Sequence, residues 1–165
     1  MELSPLFTKQ KISKNVTLES EFINSKIDES IISKLNRETG GRCSREGYIK
    51  RNSISIAKKS LGHINIGDPD KVIYNVSFTC DICNPIEGNI YKCVVENKNK
   101  MGVIAYSAIS GAKPLYVLIP RDYIGEEHNM DSINEEDIIH IKVVGKRFKH
   151  NDSIIQVIGE IVFIE

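Results

Sequence analysis

Two thiols three residues apart, Cys80 and Cys83 in "TCDIC", have the spacing of half a metal or redox site. Tetrahedral zinc needs four ligands, and beyond this pair the chain holds only the thiols of Cys43 and Cys93, with no second CxxC. A thioredoxin-like redox role would need a βαβ pattern around the pair, and none is present. The thiols are therefore read as packed apolar groups, and neither a metal nor a disulfide is expected. His63, His128, His140 and His150 are scattered, none in an HExxH spacing or beside a nucleophile motif. "GHINIG" spaces two glycines as a phosphate loop does, but Asp68 follows where lysine is required. The acidic run Glu126, Glu127, Asp131, Glu135, Glu136 and Asp137 does not match a calcium loop and reads as solvated. No cofactor is expected, and nothing in these motifs supports an enzyme.

Binding chemistry is better represented. In the second half Lys98, Lys100, Lys113, Arg121, Lys146, Arg147 and Lys149 fall at strand ends and turns, interleaved with Tyr106, Tyr116 and Phe148. Cations that hold phosphates beside rings that stack bases are the means by which single strands are bound. Lys100, Tyr106, Lys113, Tyr116, Arg121, Lys146, Arg147 and Lys149 are thus candidate RNA contacts, against the plainer reading of a solvated rim over core aromatics. In the first half Arg42, Arg45, Lys50, Arg51, Lys58 and Lys59 crowd "GRCSREGYIKRNSISIAKK". Such a run is usually a solvated face.

The elements that position these groups follow from periodicity. "KISKNVTL" puts Ile12, Val16 and Leu18 on one parity, as a strand with one buried face does. A helix follows with Ser25 as N-cap, Asp28 near its positive end, and Ile27, Ile31, Ile32 and Leu35 on one face, ending at Gly40 or Gly41. Ile54 and Ile56, Ile64 and Ile66, then Val72, Tyr74, Val76 and Phe78 alternate with polar residues, giving short strands with a turn through Gly67 and Pro69. Pro85 and Gly88 interrupt pairing and place a boundary near Asp81 to Pro85. Beyond it five apolar runs, 89–97, 102–109, 115–119, 138–148 and 154–164, suit a small closed barrel, expected to fold without the first half. The long connection from Pro120 to Asp137 and the short remaining turns are the asymmetry of an OB fold.

A chain of 165 residues can hold one large domain or two small ones, and 41% hydrophobic with 27% charged residues is the composition of a soluble globular protein. No apolar run reaches the length of a membrane helix, and the N-terminus lacks a secretory signal, so an intracellular protein without membrane contact is expected. Residues 1–80 carry 13 basic and 9 acidic side chains and residues 81–165 carry 9 and 13, a balance of +4 and −4. That division argues against strong nonspecific nucleic-acid binding, and any RNA contact must be local.

In "NPIEGNIYKCVVENKNKMGVIAY", Gly88, Ile90, Cys93, Val95, Met101 and Gly102 fall at the spacings of the first hairpin of the RNA-binding OB repeat named after a ribosomal protein. Ahead of it stand a strand, a helix running into the Gly-x-Cys of "GRCSREGYI", the strand pair at "SLGHI", the long strand "KVIYNVSF" and "NPIEGNI". This ordered series resembles, over nearly the whole chain, the stalk subunit of multisubunit RNA polymerases, the family that holds the archaeal stalk protein and the seventh subunit of eukaryotic polymerase II. The resemblance implies an α+β chain: an N-terminal tip domain, residues 1–82, with a small antiparallel sheet and one helix, then a five-stranded OB β-barrel, residues 83–165. It implies a noncatalytic subunit that docks on the polymerase core subunits through the tip domain and meets nascent single-stranded RNA with the barrel, with a small helical stalk partner alongside. Arg42, Arg45, Lys50, Arg51, Lys58, Lys59 and Gly62 then become the expected partner-binding residues. OB repeats of this kind often carry a stacking aromatic and a histidine where this chain has Ile104 and Leu118, so neither position offers a ring. The isoleucine, asparagine and lysine usage fits an AT-rich coding sequence and a large DNA virus; the setting would then be cytoplasmic, in a viral factory or virion, and otherwise nuclear. The alternative is an independent OB-fold RNA-binding protein of translation or RNA decay.

Overall fold

The structure is a computed structural model and describes residues 2–107 and 112–165. Its strands are β1 (Thr8–Glu19), β2 (Arg42–Ser44), β3 (Gly47–Ile49), β4 (Ser55–Lys59), β5 (His63–Asn65), β6 (Asp68–Cys83), β7 (Ile90–Asn99), β8 (Gly102–Ser107), β9 (Leu115–Pro120), β10 (Ile138–Arg147) and β11 (Ile155–Ile164), with one α-helix, α1 (Ile27–Thr39), among the described residues. β1 to β6 make a six-stranded sheet and β7 to β11 a closed barrel, the α+β combination expected. Contacts divide the chain into two compact units that do not follow chain order. A sheet unit comprises Thr8–Gly41 and Ile49–Ile82, and a barrel unit comprises Met1–Phe7, Arg42–Tyr48 and Cys83–Glu165.

In the sheet unit β6 is central. Strict alternation buries its Tyr74, Val76, Phe78, Cys80 and Ile82. β1 pairs antiparallel along it from Thr8↔Ile82 to Glu19↔Lys71, while β4 and β5 also pair with β6. α1 lays Ile31 and Leu35 onto the buried face with Val16, Leu18, Ile49 and Phe78. Its start differs from expectation: Lys26 is the N-cap residue and offers no side-chain cap, and Asn24 rather than Ser25 organises the turn by accepting the Lys26 N–H at 2.8 Å. Gly40 closes the helix by donating its N–H to the Asn36 carbonyl, and the left-handed Gly41 turns the chain away.

The barrel follows the order β10-β11-β9-β8-β7, returning to β10. Neighbours are antiparallel except β9 and β11, which run parallel from Leu115↔Ile155 to Leu118↔Ile158. One parallel closing pair in a five-stranded barrel is the OB arrangement. The interior takes the alternate residues: Val103 and Ala105, Leu115, Val117 and Ile119, Ile139, Ile141 and Val143, Ile155, Val157 and Ile161. The second expected strand reached Ile109, and its last two residues lie outside the described ones. Cys43 and Tyr48, far away in sequence, are buried in the same core. The Cys43 N–H donates to the Asp152 carbonyl and the Asn151 N–H to the Cys43 carbonyl, at 2.7 and 2.8 Å.

The β7–β8 turn explains the "NKNKMG" stretch. Asn99 Oδ1 accepts the N–H groups of Met101 and Gly102 at 2.8 and 3.2 Å, so the side chain closes the turn. Gly102 has φ +156°, and a β-carbon there would lie 2.2 Å from the Ile119 carbonyl oxygen. Only glycine lets β8 approach β9 this closely.

Candidate nucleic-acid interface

The strands β8, β9, β11 and β10 carry four of the eight candidate RNA contacts, Tyr106, Tyr116, Lys146 and Arg147. Pairing sets two rows across them. In one, Tyr106 stands opposite Tyr116, Tyr116 opposite Gln156, and Gln156 opposite Arg147. In the other, Ile104 stands opposite Leu118, Leu118 opposite Ile158, and Ile158 opposite Gly145. Leu118 and Ile158 are 45% and 43% exposed, an apolar strip left open among the described residues. Tyr116, Leu118, Lys146, Arg147, Gln156 and Ile158 line a cleft of about 440 Å³ here. The fold thus gathers Tyr116, Lys146 and Arg147 into one place, on the strip formed by the aliphatic Leu118.

The other candidates separate. Lys113 lies over the Tyr106 ring, its ammonium 3.9 Å from the ring centroid. Lys100 and Arg121 line a second hollow of about 300 Å³ with Lys98, whose ammonium donates to the carbonyls of Met130 and Asp131. Lys149 is exposed in the β10–β11 turn, where its backbone N–H donates to Asp152 Oδ2 at 2.7 Å. Gln156 and Gly145 escaped sequence reasoning. A glycine inside the apolar run "IIHIKVVGKRF" was the available signal, since glycine within a strand marks a bulge or a close approach. The β10–β11 register does shift between Val143 and Gly145.

The expected docking residues divide between the units. Arg42 and Arg45 are exposed in the barrel unit, whereas Lys50, Arg51, Lys58, Lys59 and Gly62 belong to the sheet unit. Lys59 is tied to Asp28 at 2.6 Å. A β-carbon on Gly62 would meet Val72 Cγ1 at 2.6 Å and the Tyr74 ring at 3.0 Å, so this glycine lets its loop pack onto β6. Beside it the alternation of Ile64 and Ile66 misled: neither is a core residue. Leu61, Ile64 and Ile66 are 86%, 69% and 99% exposed around the β5–β6 hairpin. Three large apolar side chains thus stand in water within six residues.

The CxxC is divided by the strand that carries it. Three residues along β6 reverse the side-chain direction, and Cys80 packs in the core of the sheet unit while Cys83 packs with Cys93 and Cys43 in the barrel core. Burial pushes the Cys83 and Cys93 thiols up to about 12 and Cys43 to about 11, with Asp152 adding to the last. Such thiols are poor nucleophiles and poor metal ligands.

No protein-family model matches the chain. It is similar to DNA-directed RNA polymerase II subunit 7 of Arabidopsis thaliana, 27% identical over 150 residues, covering 82% of this chain and 82% of that protein. It is similar also to DNA-directed RNA polymerase II subunit RPB7 of Glycine max, 26% identical over 153 residues with the same coverage of both chains. A match of that length cannot fit within either unit alone and takes in residues of both.

Proposed function

We infer that this chain, a relative of the seventh subunit of RNA polymerase II and so of the polymerase stalk family, is a noncatalytic RNA polymerase subunit that docks on the core through its sheet unit and meets nascent RNA with its barrel. The observation that carries the reading is the extent of the similarity, 82% of both chains, which brings the sheet unit along with the barrel. An independent RNA-binding OB protein has no need of the first. Such a subunit works inside the cell, wherever its polymerase transcribes. It acts by position: a rigid barrel holds a basic, partly apolar face beside the transcript, and the sheet unit supplies the attachment.

Two surfaces support the division of labour. The uncovered Leu61, Ile64 and Ile66 beside Gly62 give the sheet unit an apolar projection suited to a pocket on a large partner. The barrel face offers cations next to an apolar strip, which suits a single strand. The test is copurification. A tagged chain should bring down the large polymerase subunits, and replacing Leu61, Ile64 and Ile66 together with serine should release them with little change in melting temperature, because these side chains bury little area within the chain. Retention of the large subunits by that variant would move the docking surface elsewhere, and their absence from the wild-type pull-down would overturn the reading.

A further inference from the structure

The cleft on the barrel face has a floor, a charged rim and a polar group between them. Its floor is the Leu118–Ile158 strip, which ends at Gly145, where an added β-carbon would meet no atom within 4 Å. Bare backbone therefore leaves open space above it. On the rim stand Lys146 and Arg147, and between rim and floor the exposed Gln156 amide offers two donors and an acceptor. Among the described residues neither cation is paired with a carboxylate. The Lys146 ammonium donates to Asn84 Oδ1 at 2.5 Å, which fixes its position without neutralising it.

We propose that this cleft seats one unstacked nucleobase of single-stranded RNA, its face on Leu118 and Ile158, its edge read by Gln156, and its flanking phosphates held by Lys146 and Arg147. The proposal rests on the RNA-contact half of the function above and gives it a place. An occupant with a flat apolar face and anionic edges complements an apolar floor beside unneutralised cations. An extended peptide fits less well, because β9, β11 and β10 are each paired on both sides and offer no free backbone edge. The seat uses Leu118, one of the two positions without the family's ring, as an aliphatic floor, and the groups that hold and read the base stand beside it on β10 and β11.

The test uses the full-length chain, a fluorescein-labelled single-stranded RNA of mixed sequence, and the same strand with abasic sugars. Gly145→Leu fills the open space, and Arg147→Glu reverses the rim. Each should weaken binding of the normal RNA by about fivefold or more, the loss of one base contact. Melting temperature should hold, and Gly145→Leu should leave the abasic strand's affinity unchanged, since no base remains to be displaced. Arg147→Glu should also flatten the salt dependence. If folded Gly145→Leu binds normal RNA as the wild type does, the seat is overturned while the polymerase reading stands. If the wild type binds no RNA even at low salt, the RNA contact itself falls, and copurification still judges assembly separately.

Discussion

The Lys113 ammonium stands 3.9 Å from the centroid of the Tyr106 ring, so two groups expected to meet RNA are already each other's partner. A base can stack on that ring only by displacing the cation, and a phosphate can draw the cation away only by uncovering the ring. Lys113→Ala should therefore have two opposed effects: one phosphate contact is lost and one aromatic face is freed. The log–log salt slope of RNA binding should become shallower by about 0.7, while affinity at moderate salt changes less than about threefold. A loss tenfold or greater would show that Lys113 is held for phosphate and that its place on the ring is incidental.

Gly102 and Gly88 both have positive φ but different surroundings, and substitution should separate the two costs. At Gly88, with φ +89° and no atom near a β-carbon, Gly88→Ala should cost about 1 kcal/mol from backbone strain. At Gly102 the added carbon meets a backbone carbonyl of the adjacent strand, and Gly102→Val should cost about 3 kcal/mol or more through displacement of β8 from β9. Urea midpoints of both variants, measured without RNA, decide the matter; equal losses would mean that the strand approach contributes nothing.

Charge and apolar contact can be told apart on the sheet unit. Arg51 and Lys58 are exposed, and Lys59 makes one partly exposed ion pair with Asp28, so reversing all three to glutamate should lower stability by no more than about 1 kcal/mol. Binding to the polymerase core should weaken with a marked dependence on salt, whereas the serine variant of Leu61, Ile64 and Ile66 should lose binding at every salt concentration. If both variants lose binding with the same salt response, the two surfaces act as one.

The raised thiols predict slow labelling and a defined pH dependence. At pH 8 iodoacetamide should modify Cys43, Cys83 and Cys93 at rates set by unfolding, orders of magnitude slower than in urea. The folded pKa values exceed the ordinary value of 9.0, so the protonated form is favoured by folding. The associated stability is fully present below pH 9 and declines between pH 9 and about 12, as the unfolded thiols ionise first. Replacing Cys93 by Ala should flatten this decline in a pH series of urea midpoints. An unchanged slope would assign alkaline loss to other groups.

The five barrel strands were legible because each carries its own alternation, and a closed barrel consumes every inward position. The same alternation at Ile64 and Ile66 described two sides of a hairpin without saying whether either is covered, and here neither is. The start of α1 was missed by one residue because its N-cap, Lys26, is not a capping type: the Asn24 side chain accepts the Lys26 N–H ahead of the helix, so Ser25 caps nothing. Cys43 gave no sign of its destination: its N–H and carbonyl are satisfied by Asp152 and Asn151, more than a hundred residues ahead. For the cleft, Tyr116, Lys146 and Arg147 were visible as residue types. Their company with Gln156 and Ile158 depends on the parallel β9–β11 register, which no local pattern encodes.

The division of the chain also orders its birth. Every residue of the sheet unit has been synthesised once Ile82 is added, whereas Arg42–Tyr48 belongs to a core whose remaining strands are still to come. On a translating ribosome the sheet unit can therefore assemble first, with Cys43 on β2 and Tyr48 on β3 still without their barrel neighbours. β7, β8 and β9 arrive next, yet the barrel cannot close until β11, the last of its strands in chain order, inserts between β9 and β10. A pause in translation anywhere from Leu115 to Ile155 would prolong the life of an open sheet with unpaired edges, and a chaperone that protects such edges would matter most during that interval.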